Sequence, residues 1–181
     1  WVREAERRGL ANLRDTVDSM PAYIDSKNIK LFTDHGVFSE AEMRARYGIH
    51  LENYCKITAI EANTLLVMIR RSIFPAVSRY TGELAKTVQR KKALYLDCAA
   101  ETDLLQQLSG LNDELYETAK AMAKALEDAP SSDGDIASAR YYRDVVYALE
   151  YKASHLVNKL ETYTSAEFWP YPTYADILFS V

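Results

Sequence analysis

Glycine and proline are scarce in this chain of 181 residues, 6 and 5 respectively, and no run alternates apolar and polar residues for long enough to read as a strand. A chain so lightly punctuated reads as nearly all helix. Cysteine is scarcer still. Cys55 and Cys98 stand far apart, each inside an apolar helical pattern, which excludes a CxxC metal spacing and a secreted disulfide framework and leaves two buried thiols.

Long apolar runs are missing as well. The longest, LLVMI at 65–69, falls far short of the ~20 residues of a membrane span and is followed at once by Arg70 and Arg71. Net charge is small: 26 acidic against 22 basic side chains give −4, an ordinary cytoplasmic balance with no pull toward nucleic acid. No nucleic acid, no membrane and a cytoplasmic setting are the expectations. The chain opens at Trp1 with neither an initiator Met nor a signal-peptide pattern, so a piece of a longer polypeptide is expected.

Histidine is limited to three residues. A di-iron bundle needs Glu-x-x-His pairs, yet the residues three before His35, His50 and His155 are Phe32, Tyr47 and Lys152. The phosphate-cradling GxxxxGK[ST] is missing, and three scattered histidines support no nucleophile triad. Sequence reasoning therefore names no catalytic, cofactor-binding or metal-ligating residue. Arg70 and Arg71, and Arg90, Lys91 and Lys92, are basic clusters of the kind that usually face water.

What is present is helical periodicity. Leu10, Leu13, Val17 and Met20 suit one leading helix stopped before Pro21, and 19–38 reads as a connector with at most a short helix. At FSEAEM, Ser39 and Glu42 form a capping box flanked by Phe38 and Met43 as a hydrophobic staple. From Tyr47 through Leu51, Tyr54, Thr58, Ala62, Leu65, Ile69, Ile73, Ala76, Tyr80 and Leu84, one stripe predicts a single long helix, kinked at Pro75. Ile57, Ile60, Leu66, Met68, Phe74 and Val77 add a second row, which predicts a central position for that stretch.

The stripe Leu104, Leu108, Leu111, Leu115, Ala119, Met122 and Leu126 is out of phase with the preceding one, which predicts a break near 97–102. APSSDGD at 129–135 reads as a turn, and Ala139, Tyr142, Val146, Leu149, Ala153, Leu156, Leu160 and Tyr163 form a heptad-like seam after it. The expected fold is all-α: an antiparallel bundle of three to four long helices. One domain is expected over 1–181, with a leading helix and connector at 1–38, long helices at 39–165 and a tail at 166–181. That tail, AEFWPYPTYADILFSV, is too rich in aromatic and aliphatic residues for a disordered segment and is expected to dock. Pro170 and Pro172 assist by restricting the unfolded chain. Thirteen tyrosines, among them Tyr47, Tyr54, Tyr80, Tyr142 and Tyr163, suit helix interfaces that are apolar but partly polar.

Two stretches carry a resemblance. KNIKLFTDHGVFSEAEMRARYGIHLENYCKITAIEANTL followed by IFPAVSRY, and the terminal FWPYPTYADILF, resemble the carboxyl-terminal region of type III glutamine synthetases. The likeness is read over about 17–80, lapses into a generic helical pattern at 81–165 and returns in the tail. The resemblance implies a parent enzyme that joins glutamate and ammonia at the expense of ATP, using divalent Mg or Mn held by carboxylates of a separate catalytic domain. That domain and the amino-terminal one are the implied partners, in a parent expected to be a homo-oligomer; no catalytic residue carries over to this chain. A free-standing helical interaction protein is the alternative, and a metabolite-sensing bundle lacks a supporting polar cluster.

Overall fold

The computed structural model describes residues 1–131, 133–172 and 174–179, with Tyr174 and Ala175 described by backbone alone. Every regular element among them is helical: α1 Val2–Arg7, α2 Thr16–Tyr23, α3 Ser26–Asp34, α4 Glu40–Met68, α5 Phe74–Ala93, α6 Ala99–Glu127, α7 Ile136–Tyr141, α8 Ala148–Tyr163 and α9 Tyr174–Phe179, with π-helical turns at Ile69–Ile73 and Tyr142–Tyr147. The chain is all-α, as its periodicities require. Its contacts gather into two compact units, Trp1–Ile60 with Asp128–Val145, and Glu61–Glu127 with Val146–Val181. The 39–165 segment is shared between them.

In the first unit, the single leading helix expected over 2–18 is two. Gly9 takes a φ of +74, ending α1, and Leu10 and Leu13 of the supposed stripe are exposed. α2 starts at Thr16, where Asp15 as N-cap accepts the Asp18 amide at 2.8 Å, and it runs through Pro21 instead of stopping before it. Pro21 is the sixth residue of α2, beyond the first four amides that lack an intrahelical acceptor, so α2 runs on through it at the cost of one backbone hydrogen bond. The connector also holds more helix than expected, because Asp25 caps α3 through the Lys27 amide at 3.1 Å.

The capping box is present as expected. The Glu42 amide donates to Ser39 Oγ at 3.3 Å while Glu42 Oε2 accepts the Ser39 amide at 2.8 Å. Met43 beyond it is fully buried, and Phe38 lies against Phe32 at 5.9 Å with Arg46 over its ring at 4.5 Å. Leu51, Cys55 and Thr58 continue the buried face of α4, but Ile57 and Ile60 are exposed. The second apolar row is therefore not a core row at those two positions; periodicity identifies a face without saying whether anything covers it.

The turn at 128–135 returns against α4 so that Gly134 meets Gly48 backbone to backbone. Asp135 then caps α7, accepting the Ala137 and Ser138 amides at 2.7 and 2.9 Å and the Ser138 hydroxyl at 2.6 Å. Arg143, on the following π turn, reaches Asp18 at 2.6 Å and Asp15 at 3.4 Å, tying α2 to this helix.

In the second unit α5 and α6 are antiparallel, with a register that can be read from side chains. Phe74 faces Tyr116 with ring centroids 5.5 Å apart, Ser78 Oγ accepts from Asn112 Nδ2 at 3.2 Å, and Lys91 pairs with Glu101. Each advance along α5 is matched by an equal retreat along α6. α8 also packs on α6, with Lys152 2.8 Å from Glu114. Glu61 acts on Glu150, and Tyr80 meets Phe168 at 5.2 Å, so α8 and the tail advance in step with α4 and α5. The unit is an up-down-up bundle around Ile69, Ile73, Leu108, Leu115, Met122 and Leu160.

Pro75 leaves the helical path continuous. The preceding turn widens to π geometry, the Phe74 amide donating to Ile69 O five residues back. A widened turn accommodates the proline ring and the missing donor. The α5–α6 break falls at 94–98, ahead of the expected 97–102. No Gly or Pro marks the break in the sequence, because Tyr95 itself adopts the left-handed conformation, with φ +58.

Candidate functional site

The tail helps to form a concave feature of the second unit. α8 ends at Tyr163, and a tight turn follows in which the Phe168 and Trp169 amides both donate to Ser165 O, at 2.9 and 3.0 Å. This turn sends Phe168 onto Tyr80 and buries Trp169 to 9% exposure. Beneath lies a cavity of about 210 Å³, bounded by Leu65, Met68 and Ile73 on one side, Trp169 and Tyr171 on another, and Glu161 of α8. Its walls are otherwise apolar, and Glu161 makes no ion pair among the described residues.

The docking expected for 166–181 is thus met by its first half. Further on, Ile177, Leu178 and Phe179 of α9 are exposed, Ile177 at the rim of the cavity. The side chain of Tyr174, also expected to dock, lies outside the described residues, as do Thr173, Ser180 and Val181.

The chemistry-bearing side chains remain dispersed. His35 is the C-cap of α3, His50 meets the edge of Tyr23 at 6.5 Å, and His155 lies 4.2 Å from the Tyr151 ring. Cys55 and Cys98 are buried free thiols; burial, with Asp135 nearby, pushes the Cys55 thiol up and so disfavours its nucleophilic form. Burial likewise raises the Tyr47 and Tyr142 phenols. Among the described residues, no group of three or more His, Cys, Asp or Glu is placed to hold a metal ion.

The basic clusters have different surroundings. Arg70 borders a smaller cleft of about 110 Å³ with Phe74, Tyr116 and Lys120. Lys91 is engaged by Glu101, while Arg90 and Lys92 make no ion pair among the described residues. No described helix is long and apolar enough to cross a membrane.

These observations define an all-helical module. The family model of the glutamine synthetase C-terminal domain matches residues 1–92. A glutamine synthetase of Butyrivibrio fibrisolvens is 36% identical over 187 aligned residues, covering 100% of this chain and 26% of that protein. A type-3 glutamine synthetase of Dictyostelium discoideum is 26% identical, covering 99% and 25%, and a glutamine synthetase of Bacteroides fragilis is 24% identical, covering 99% and 26%. The chain belongs to the glutamine synthetase C-terminal domain family, and its likeness to a type 3 enzyme runs through nearly its whole length, including the 81–165 stretch where motifs were lacking. It spans about a quarter of the length of the curated relatives it matches.

Proposed function

We propose that this chain is the C-terminal helical module of a type III-like glutamine synthetase and that its role is structural: assembly, support of the catalytic domain, or regulation. The parent polypeptide then performs ATP-dependent ligation of ammonia to glutamate. The observation that carries this reading is the 36% identity spread over the full chain, matched to a quarter of a glutamine synthetase. The same membership favours the module over a free-standing interaction protein.

ATP and Mg or Mn belong, on this reading, to the catalytic domain. That assignment is supported by the described residues: no three or more His, Cys, Asp or Glu are grouped to hold a metal ion, and many carboxylates pair with neighbouring cations, as Glu4 does with Arg7 and Arg8 and Glu114 with Lys152. The module's partners are the amino-terminal and catalytic domains of its own polypeptide, in a cytoplasmic homo-oligomer. A ligase assay with glutamate, ammonia and Mg-ATP tests the division of labour. The isolated chain should show no turnover and the complete polypeptide should be active; turnover by the isolated chain would place the chemistry here.

A further inference from the structure

The tail cavity is bordered by a carboxylate and, among the described residues, by no cation. Leu65, Ile73, Trp169 and Tyr171 stand among its aliphatic and aromatic walls, and Glu161 is the single charged residue on its described lining. Glu161 is half-buried and makes no ion pair or hydrogen bond among the described residues. Glu83, Glu101 and Glu114 of the same unit each pair with a lysine, so Glu161 differs from them. It also stands in the last turn of α8, which carries no basic residue. The negative end of the helix dipole lies there, where an anion is disfavoured and a cation is stabilised.

Size and polarity narrow what such a cavity suits. Its volume of about 210 Å³ exceeds the ~150 Å³ in which an apolar protein cavity takes up benzene, so an apolar body of that size fits. An anion would face both Glu161 and the negative end of α8. A neutral apolar molecule would cover the carboxylate without giving it a partner, at a cost in desolvation. A cation meets neither objection, and the ring faces of Trp169 and Tyr171 attract positive charge as well.

We propose that the tail cavity binds a small organic ammonium ion, a primary amine carried on an aromatic body, with the ring against the apolar walls and the ammonium paired with Glu161. A primary ammonium donates charged N–H groups to the carboxylate, and such a charge-assisted hydrogen bond is about twice as strong as a neutral one. Trp169 and Tyr171 belong to the tail, so a ligand held against them also stabilises the docked tail. This site goes beyond the structural role of the module and does not depend on the parent's reaction.

Trp169 reports on the cavity it lines. The chain has two tryptophans and Trp1 is exposed, so Trp1→Phe leaves Trp169 as the sole tryptophan without touching the site. In that background phenethylamine, protonated at neutral pH, should change the fluorescence saturably with a Kd of about 1 mM or tighter. Its neutral and anionic counterparts, 2-phenylethanol and 3-phenylpropionate, should bind at least about tenfold more weakly. So should an Nα-acetyl-lysine amide, which presents the same ammonium without a ring. Glu161→Gln should erase the preference for phenethylamine over 2-phenylethanol, and Val157→Phe, which fills the cavity from α8, should abolish binding; circular dichroism checks that both remain folded. No saturable response up to about 10 mM, beyond the range of weak specific binding, would overturn the proposal. So would equal binding of the neutral or anionic counterpart, a preference unchanged in Glu161→Gln, or binding that survives Val157→Phe. A lysine amide that binds as tightly as phenethylamine would overturn it in favour of a lysine side chain of a protein partner.

Discussion

The backbones of Gly134 and Gly48 touch so closely that a Cβ on Gly134 would stand 2.7 Å from the Gly48 carbonyl oxygen. The relationship is one-sided. Gly134 also has a φ of +75, whereas a Cβ on Gly48 would meet Gly134 O at an ordinary 3.8 Å. Gly134→Ala should therefore cost roughly 2–4 kcal/mol through backbone strain and overpacking together. Gly48→Ala, inside α4, should be neutral or stabilise by up to about 1 kcal/mol. Urea unfolding of both variants checks the contrast, and equal effects would refute the close approach.

Glu150 supplies a pH prediction. Burial, and then the charge of Glu61, hold its carboxyl above the ordinary value of 4.5, and its Oε2 is buried without a hydrogen-bond partner. The folded state thus binds this proton more tightly than the unfolded chain does. The resulting stabilisation is complete below about 4.5 and is lost as pH rises through the raised folded value. Glu150→Gln should be more stable than wild type at neutral pH, with the gap narrowing in acid. Unfolding curves across that range decide it; a gap independent of pH would assign the effect to something other than ionisation.

The two halves of the tail should behave differently. Truncation after Ser165 removes Trp169 from its groove, and losing one such buried side chain should lower Tm by about 3–10 °C and raise binding of an apolar dye. Truncation after Pro172 removes Ile177, which borders the cavity, and the exposed Leu178 and Phe179, so stability should fall by about 1 kcal/mol or less, well below the cost of the longer deletion. If the shorter deletion were as damaging as the longer one, α9 would have to be part of the core.

Ile69 and Leu65 separate a core stripe from its margin. Both belong to the apolar periodicity, but Ile69 is 1% exposed while Leu65 is half-buried beside the tail cavity. Ile69→Ala should cost about 2–5 kcal/mol, and Leu65→Ala clearly less, because atoms already near solvent leave a smaller void. Chemical denaturation of the pair tests the order.

Local chemistry made much of the fold legible. Ser39 and Glu42 announce the start of α4, Asp135 and Gly134 mark a turn, and the step of three or four from Leu104 to Leu126 describes α6, since each depends on neighbours within one helical turn. The candidate site was less so. Its cavity joins Leu65, Glu161 and Trp169, residues brought together by chain reversals that no local spacing encodes. Tyr95 hid the α5–α6 break because turn signals are sought in Gly and Pro.

Composition and periodicity by themselves determined that this chain is helical, lacks a local nucleotide-binding motif and carries an aromatic tail suited to docking. Tertiary structure alone decided which apolar faces are covered: Ile69 but not Ile60, Trp169 but not Phe179. The physical reason is that helical periodicity follows from the local geometry of 3.6 residues per turn, whereas burial follows from which distant segments come to rest on each face.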